Sequence, residues 1–332
     1  MSVVGLLALL ALGLAIAITL GAWITGHHLR RPPRKTYGWA LARNLPGDPS
    51  ELADSLHFDS LELDLRGDDP ELRNLGHSPV WDIEGGDANG PVIIWTPGWG
   101  DSRVGSLARV RHLAPLAKRV IAWDPPGQGD APGLWPMAVR EDRLLVDLAR
   151  WAHETHATPI VLAGSSMGAG LSMVAAVTLQ ESSSVPVVGV IAEAPYCLPK
   201  IPASMYLRAV GHPHTWNIEI VYGLMGMRLG AGANWEKAHA GRGFDRAQWA
   251  ASLQCSLLVL HGDLDVISPP EDGQRIAEAA SQSELVLIEG GGHNDLWLKP
   301  EFERECVAAV GRFVRRLAPS PLAGEGGREA DG

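Results

Sequence analysis

Gly164-Ser165-Ser166-Met167-Gly168 lies between two stretches of different hydrophobic period. Ahead of it, residues 158–163 form a short apolar run opened by Thr158-Pro159, the pattern of a buried strand. Behind it, residues 169–179 are rich in helix formers, with apolar side chains at helical spacing. A serine held between strand and helix, with glycine two residues before and two after, is the pattern of a nucleophile elbow. The tight turn forces the serine into strained backbone, and strand and helix pass too closely for a side chain at the flanks. This register selects Ser166, between Gly164 and Gly168, over Ser165, whose corresponding flanks are Ala163 and Met167.

A serine hydroxyl is a poor nucleophile until an imidazole accepts its proton, and the imidazole needs a carboxylate to fix its tautomer and balance its charge. Candidates for both follow in the chain order serine, acid, histidine. Residues 256–262 read as a buried strand that runs into a loop carrying Asp263 and Asp265 and ending at Pro269. Residues 284–289 read as the next strand, followed by three glycines and His293. An acid and a histidine on loops after consecutive strands suit a relay to a serine on a third strand. The residues alone leave two acids open, and His261, at the end of the acid strand, is a rival histidine that suits a structural role.

Residues 260–269 (Leu-His-Gly-Asp-Leu-Asp-Val-Ile-Ser-Pro) and 289–295 (Glu-Gly-Gly-Gly-His-Asn-Asp) resemble the acid and histidine loops of α/β-hydrolases, nearest to the serine aminopeptidase-like and monoglyceride-lipase-like branch. The resemblance runs from about residue 80 to residue 313. It implies an α/β fold: a mostly parallel central sheet with helices on both faces and a small helical cap. It also implies a serine hydrolase acting through an acyl-enzyme. In that pattern the acid lies between Gly262 and Pro269 at the position of Asp265, which leaves Asp263 as a turn former. Thr96-Pro97-Gly98-Trp99-Gly100 resembles the oxyanion loop, with Pro97 where the family commonly carries histidine. The resemblance places the oxyanion donors on the backbone N–H groups of Trp99 and Met167, and leaves the support of that loop open. Residues 119–129 resemble the following strand and glycine turn, in which Asp124, Gly127 and Gly129 are structural. Glu193, at a strand end, matches an acid that family members often carry and that is not the triad acid.

The elements that must position these groups are bounded by length and composition. Of the 332 residues, those from 51 to 316 suffice for one α/β domain with a single large core. Residues 195–250, aromatic and apolar, form the expected cap insertion; most of their large side chains suit ordinary helix packing, and a minority could line an acyl pocket. Residues 56–65 alternate apolar and polar residues as an antiparallel edge strand does, and residues 78–84 look like its neighbour. Residues 317–332, rich in Pro and Gly, read as a disordered tail.

Net charge is −10 with no basic patch, which argues against a nucleic-acid partner. Cys197, Cys255 and Cys306 are too few and too scattered for a disulfide framework or a zinc site. His153-Glu154-Thr155-His156 lacks the spacing of a helical metal site, His212-Pro213-His214 suits a turn, and no dinucleotide or phosphate loop is present. No cofactor and no metal are expected; the oligomeric state is unknown.

The N-terminal segment bears on location. Residues 3–24 are uncharged and apolar, long enough to cross a hydrocarbon layer of about 30 Å as a helix. Arg30, Arg31, Arg34 and Lys35 follow it, and such flanks stay cytoplasmic. The expectation is an uncleaved transmembrane anchor over residues 1–26, a stiff basic linker and lead-in over 27–50 that could lie against anionic headgroups, and a cytoplasmic hydrolase domain. The alternative is signal cleavage and export. A small-molecule or lipid ester substrate follows as the functional expectation. Serine peptidase, thioesterase and noncatalytic binding protein are the alternatives.

Overall fold

The computed structural model describes residues 2–65, 77–137, 141–228, 232, 234–237 and 242–317; the expected tail beyond residue 317 lies outside the described residues. Eight strands build one sheet: β1 (Phe58–Leu63), β2 (Ser78–Glu84), β3 (Val92–Thr96), β4 (Arg119–Trp123), β5 (Ile160–Ser165), β6 (Val187–Glu193), β7 (Ser256–Gly262) and β8 (Ser283–Ile288). Their order is β1-β2-β4-β3-β5-β6-β7-β8. β1 pairs with β2, and β2 with β4, antiparallel; every other pairing is parallel. β3 to β7 read as unbroken apolar runs because helices cover both faces of the sheet, as parallel sheets require.

Alternate strand residues feed two cores. Ile94, Leu162, Val190 and Val259 pack with helices α4 (Glu141–His156), α5 (Met167–Ser182) and α9 (Pro270–Ala279) on one face. Ile93, Ala163, Ile191 and Leu258 pack with α3 (Leu107–Leu113) and α10 (Pro300–Leu317) on the other. In the edge strand β1 the expected alternation holds only over its second half, where half-buried Leu61 and Leu63 flank exposed Glu62; Asp59 and Ser60, adjacent and both exposed, break it. Between β6 and β7, in the stretch expected to form the cap, the chain forms helices α6 (Lys200–Ala209) and α7 (Trp216–Arg228) and, at its end, α8 (Arg246–Ala250).

The N-terminal helix α1 spans Val3–Leu29, five residues past the apolar run seen in the sequence, and a short helix α2 (Tyr37–Leu41) follows it. At about 1.5 Å per residue, α1 is about 40 Å long. From Leu6 to Leu20 every residue is exposed, whereas Ala22, Thr25 and Leu29 are buried against the domain. The linker is also tied down. Arg34 donates to the carbonyls of Gly129, Ala131 and Gly133, Lys35 pairs with Asp101 at 2.9 Å, and Ser102 Oγ donates to the Lys35 carbonyl at 2.6 Å. Two of the four basic residues are thus occupied by the domain, while Arg30 and Arg31 remain exposed at the helix end.

Candidate active site

β5 and β3 are neighbours at the centre of the sheet, with Thr96 opposite Gly164, so the loops after the two strands leave at the same level. In such sheets the crevice beyond the carboxyl ends of the strands is where ligands bind. Ser166 turns the chain from β5 into α5 with φ 52° and ψ −110°. This is a sparsely populated conformation that costs on the order of 1–3 kcal/mol and persists only where the surroundings impose it. The surroundings do so through close approach. A Cβ on Gly168 would lie 2.0 Å from the Thr96 carbonyl oxygen, and one on Gly164 would lie 2.5 Å from the Gly168 carbonyl carbon. The Ser166 N–H is used as well, donating to the Glu193 carbonyl at 2.7 Å.

Loops from three strands bring Ser166, His293 and Asp265 into one relay. His293 Nε2 is 3.1 Å from Ser166 Oγ, and His293 Nδ1 is 2.6 Å from Asp265 Oδ2. Asp265 is buried, and its other oxygen accepts the N–H groups of Ile267 and Ser268, both at 2.8 Å. Burial alone would raise the Asp265 carboxyl. Hydrogen bonds from His261 and His293 outweigh it and hold the group well below the usual carboxylate range. An ionised Asp265 accepts only, so His293 donates from Nδ1 and turns the lone pair of Nε2 toward Ser166.

His261 also reaches this acid. Its Nε2 donates to the Ser268 carbonyl at 2.9 Å and lies 3.3 Å from Asp265 Oδ2, fully buried. Asp263 makes a different contact: its Oδ1 accepts the Gly290 N–H at 2.7 Å, tying the acid loop to the histidine loop. Glu193 does not touch His293. Its side chain accepts from Arg109 and from the Trp297 indole N–H in the core behind the elbow.

The loop after β3 runs beside the elbow, where a Cβ on Gly98 would lie 3.4 Å from Ser166 Cβ. Its support, left open by Pro97, comes from elsewhere. Gly100 N–H donates to Gln128 Oε1 at 2.6 Å, Arg103 N–H donates to Asp124 Oδ1 at 2.8 Å, and the Trp99 indole N–H donates to the Leu29 carbonyl at 2.9 Å. Asp124 also accepts the Asp130 N–H, and burial pushes its carboxyl up to about 6. Gln128 lies inside the glycine turn already singled out, but nothing in its spacing announced a partner on another loop. Met167 opens α5, so its N–H is one of the helix-start donors without an intrahelical partner.

A cavity of about 400 Å³ opens over Ser166 and His293. Trp99, Trp135, Tyr206, Tyr222 and Ile267 line it together with Leu29 of α1. Among the described residues, no group of three or more His, Cys, Asp or Glu has an arrangement that could hold a metal ion. His156 binds Asp82 at 3.0 Å and His153 the Thr158 carbonyl at 3.0 Å.

The sequence pattern of the Alpha/beta hydrolase family matches residues 92–308, well over half of the chain. The chain belongs to that family. Three solved structures set this alpha/beta hydrolase among known folds. The Pyrococcus furiosus esterase Pf2001 is 18% identical over 88% of this chain and 99% of its own, with a TM-score of 0.64. A thermophilic esterase from Thermogutta terrifontis is 20% identical over 79% and 100%, with a TM-score of 0.54. A membrane phospholipase A, described as a bacterial virulence factor, is 16% identical over 94% and 98%, with a TM-score of 0.54. At these identities the likeness is one of fold. No curated protein matches the sequence.

Proposed function

We propose that this alpha/beta hydrolase is a membrane-anchored serine hydrolase that cleaves carboxylic esters through an acyl-enzyme. The observation that carries the reading is the relay: Ser166 Oγ 3.1 Å from His293 Nε2, with His293 Nδ1 2.6 Å from a buried, ionised Asp265. Ser166 Oγ attacks the acyl carbonyl carbon while His293 takes its proton. The oxyanion that forms is held by the N–H groups of Trp99 and Met167, each worth about 3 kcal/mol in the transition state. Collapse expels the alcohol, which receives the proton from His293. Water then attacks the acyl-enzyme by the same route, releasing the carboxylic acid and restoring Ser166. The apolar cavity suits an acyl or alkyl chain, and the similar folds include esterases and a phospholipase.

The test is a matched series on the full-length enzyme in detergent micelles: p-nitrophenyl esters, thioesters and anilides carrying the same acyl chains. The esters are expected to turn over fastest. Faster cleavage of anilide or thioester would replace the ester reading with a peptidase or thioesterase.

The anchor reading rests on α1, the one described helix long and apolar enough to cross a membrane, and on the exposed basic residues at its end. Positive flanks are retained on the cytoplasmic side, so the hydrolase domain lies inside the cell. Its three native cysteines are buried, and burial pushes the thiols of Cys197 and Cys306 up to about 12, so they compete poorly for a thiol reagent. A Glu278→Cys variant, on the exposed face of α9, is expected to resist a membrane-impermeant maleimide in intact cells and to react once they are opened. Ready labelling of intact cells would mean an exported domain.

A further inference from the structure

We infer that the last turn of α1 is part of the substrate site: Leu29 forms a wall of the cavity over Ser166 and limits the length of the apolar chain it accepts, while the Leu29 carbonyl fixes the Trp99 loop. This goes beyond anchoring and rests on the ester-hydrolase reading only for the chemistry used to read it out.

The last carbonyls of a helix have no partner within it and must find one elsewhere. Here Gly26 and His28 are capped locally by the N–H groups of Arg30 and Arg31. The next two carbonyls go to the cavity wall. Leu29 O accepts the Trp99 indole N–H at 2.9 Å, and Arg30 O accepts the Trp135 N–H at 3.0 Å. Both donors belong to residues that line the cavity, and one of them is the candidate oxyanion residue. Leu29 is 2% exposed, belongs to the buried core, and lines the same cavity, as do Pro33 and Lys35 just beyond it.

The helix is held in this place along its last turns. Asn217 Nδ2 of α7 donates to Thr25 Oγ1 in a buried contact, and the His28 and His212 rings lie 4.2 Å apart. α1 also approaches α7 closely at Gly21, where a Cβ would lie 2.7 Å from the Trp216 ring. A free tether would show none of these contacts. Removing residues up to 29 would open the cavity on one side and leave the Trp99 indole N–H without its acceptor, so α1 stays attached in the active enzyme.

The experiment uses the full-length protein in micelles and reads a ratio within each variant, which cancels any loss of folded protein. Two ester series are compared, one varying the acyl chain from butanoyl to hexadecanoyl and one varying the alcohol. A bulkier side chain at Leu29 shortens the cavity, so Leu29→Trp is expected to lower the long-to-short ratio of kcat/KM roughly tenfold or more in one of the series. Leu29→Ala is expected to raise it. Leu12→Trp, on the exposed stretch of α1, is expected to leave both ratios unchanged. The same three variants, made in a Ser166→Ala background, are titrated with short-chain and long-chain fluorescent carboxylates. This arm follows the cavity even if wild-type enzyme hydrolyses no ester, an outcome that would sink the function and leave the wall to be judged by binding. Unchanged ratios and unchanged chain-length preference in binding for both Leu29 variants would overturn the inference.

Discussion

Ser166→Ala is expected to lower kcat by roughly 10⁶, the scale on which loss of the nucleophile acts in serine hydrolases. The expectation follows from position. The elbow holds Ser166 at φ 52° between two glycines that admit no side chain, and its Oγ is the atom facing the lone pair of His293 Nε2. The proposed oxyanion donors are backbone groups that would survive the substitution, so activity on the order of 10³ above water is expected to remain. Ser165→Ala is the informative comparison. Ser165 is the last residue of β5 and pairs with Glu193 in the sheet; it borders the same cavity, but the His293 Nε2 hydrogen bond goes to Ser166, so its replacement is expected to leave turnover near the wild-type level.

Asp265→Asn carries the second large effect. One carboxylate oxygen accepts two loop N–H groups and the other accepts His293 Nδ1. An asparagine keeps its carbonyl toward the two N–H groups and therefore points its NH₂ at His293. The imidazole must then accept at Nδ1 and carry its proton on Nε2, facing a serine whose proton it can no longer take. Loss of this tautomer control costs about 10⁴ in kcat in other triads, and the same scale is expected here. Asp263→Asn separates the two aspartates, since an amide oxygen can still accept the Gly290 N–H and nothing at His293 changes. Near-normal turnover by Asp265→Asn, with Asp263→Asn crippled, would reverse the assignment of the acid.

Much of this geometry could be read from the residues because it is local. The elbow is encoded by five consecutive positions, and the glycine register that distinguishes Ser166 from Ser165 is a steric requirement. The strands around it are legible because burial on both faces demands unbroken apolar runs. The choice between Asp263 and Asp265 came from resemblance, since both are acids two residues apart on one loop.

What stayed hidden depends on distant partners. Gln128 supports Gly100, and Leu29 supports Trp99, across separations that no periodicity reports. Ala22, Thr25 and Leu29 have the same apolar or small character as the exposed part of α1, so nothing in composition marks the turn at which the helix meets the domain. Arg34 and Lys35 read as a membrane flank because charge rules count residues, while their acceptors lie at Asp101 and on the turn from Gly129 to Gly133. The contact of His261 with Asp265 was also missed, because a histidine at a strand end reads as structural until the loop after it folds back.

The proposed chemistry requires that Ser166 become covalently acylated. Full-length enzyme is treated with a fluorophosphonate probe, digested, and the adduct located by mass spectrometry, with and without an excess of the best ester from the series. Acylation of Ser166 predicts one adduct, at that residue, slowed by the competing ester, lost in Ser166→Ala and retained in Ser165→Ala. An adduct on any other residue, or rapid ester turnover by protein that the probe does not label, would contradict it.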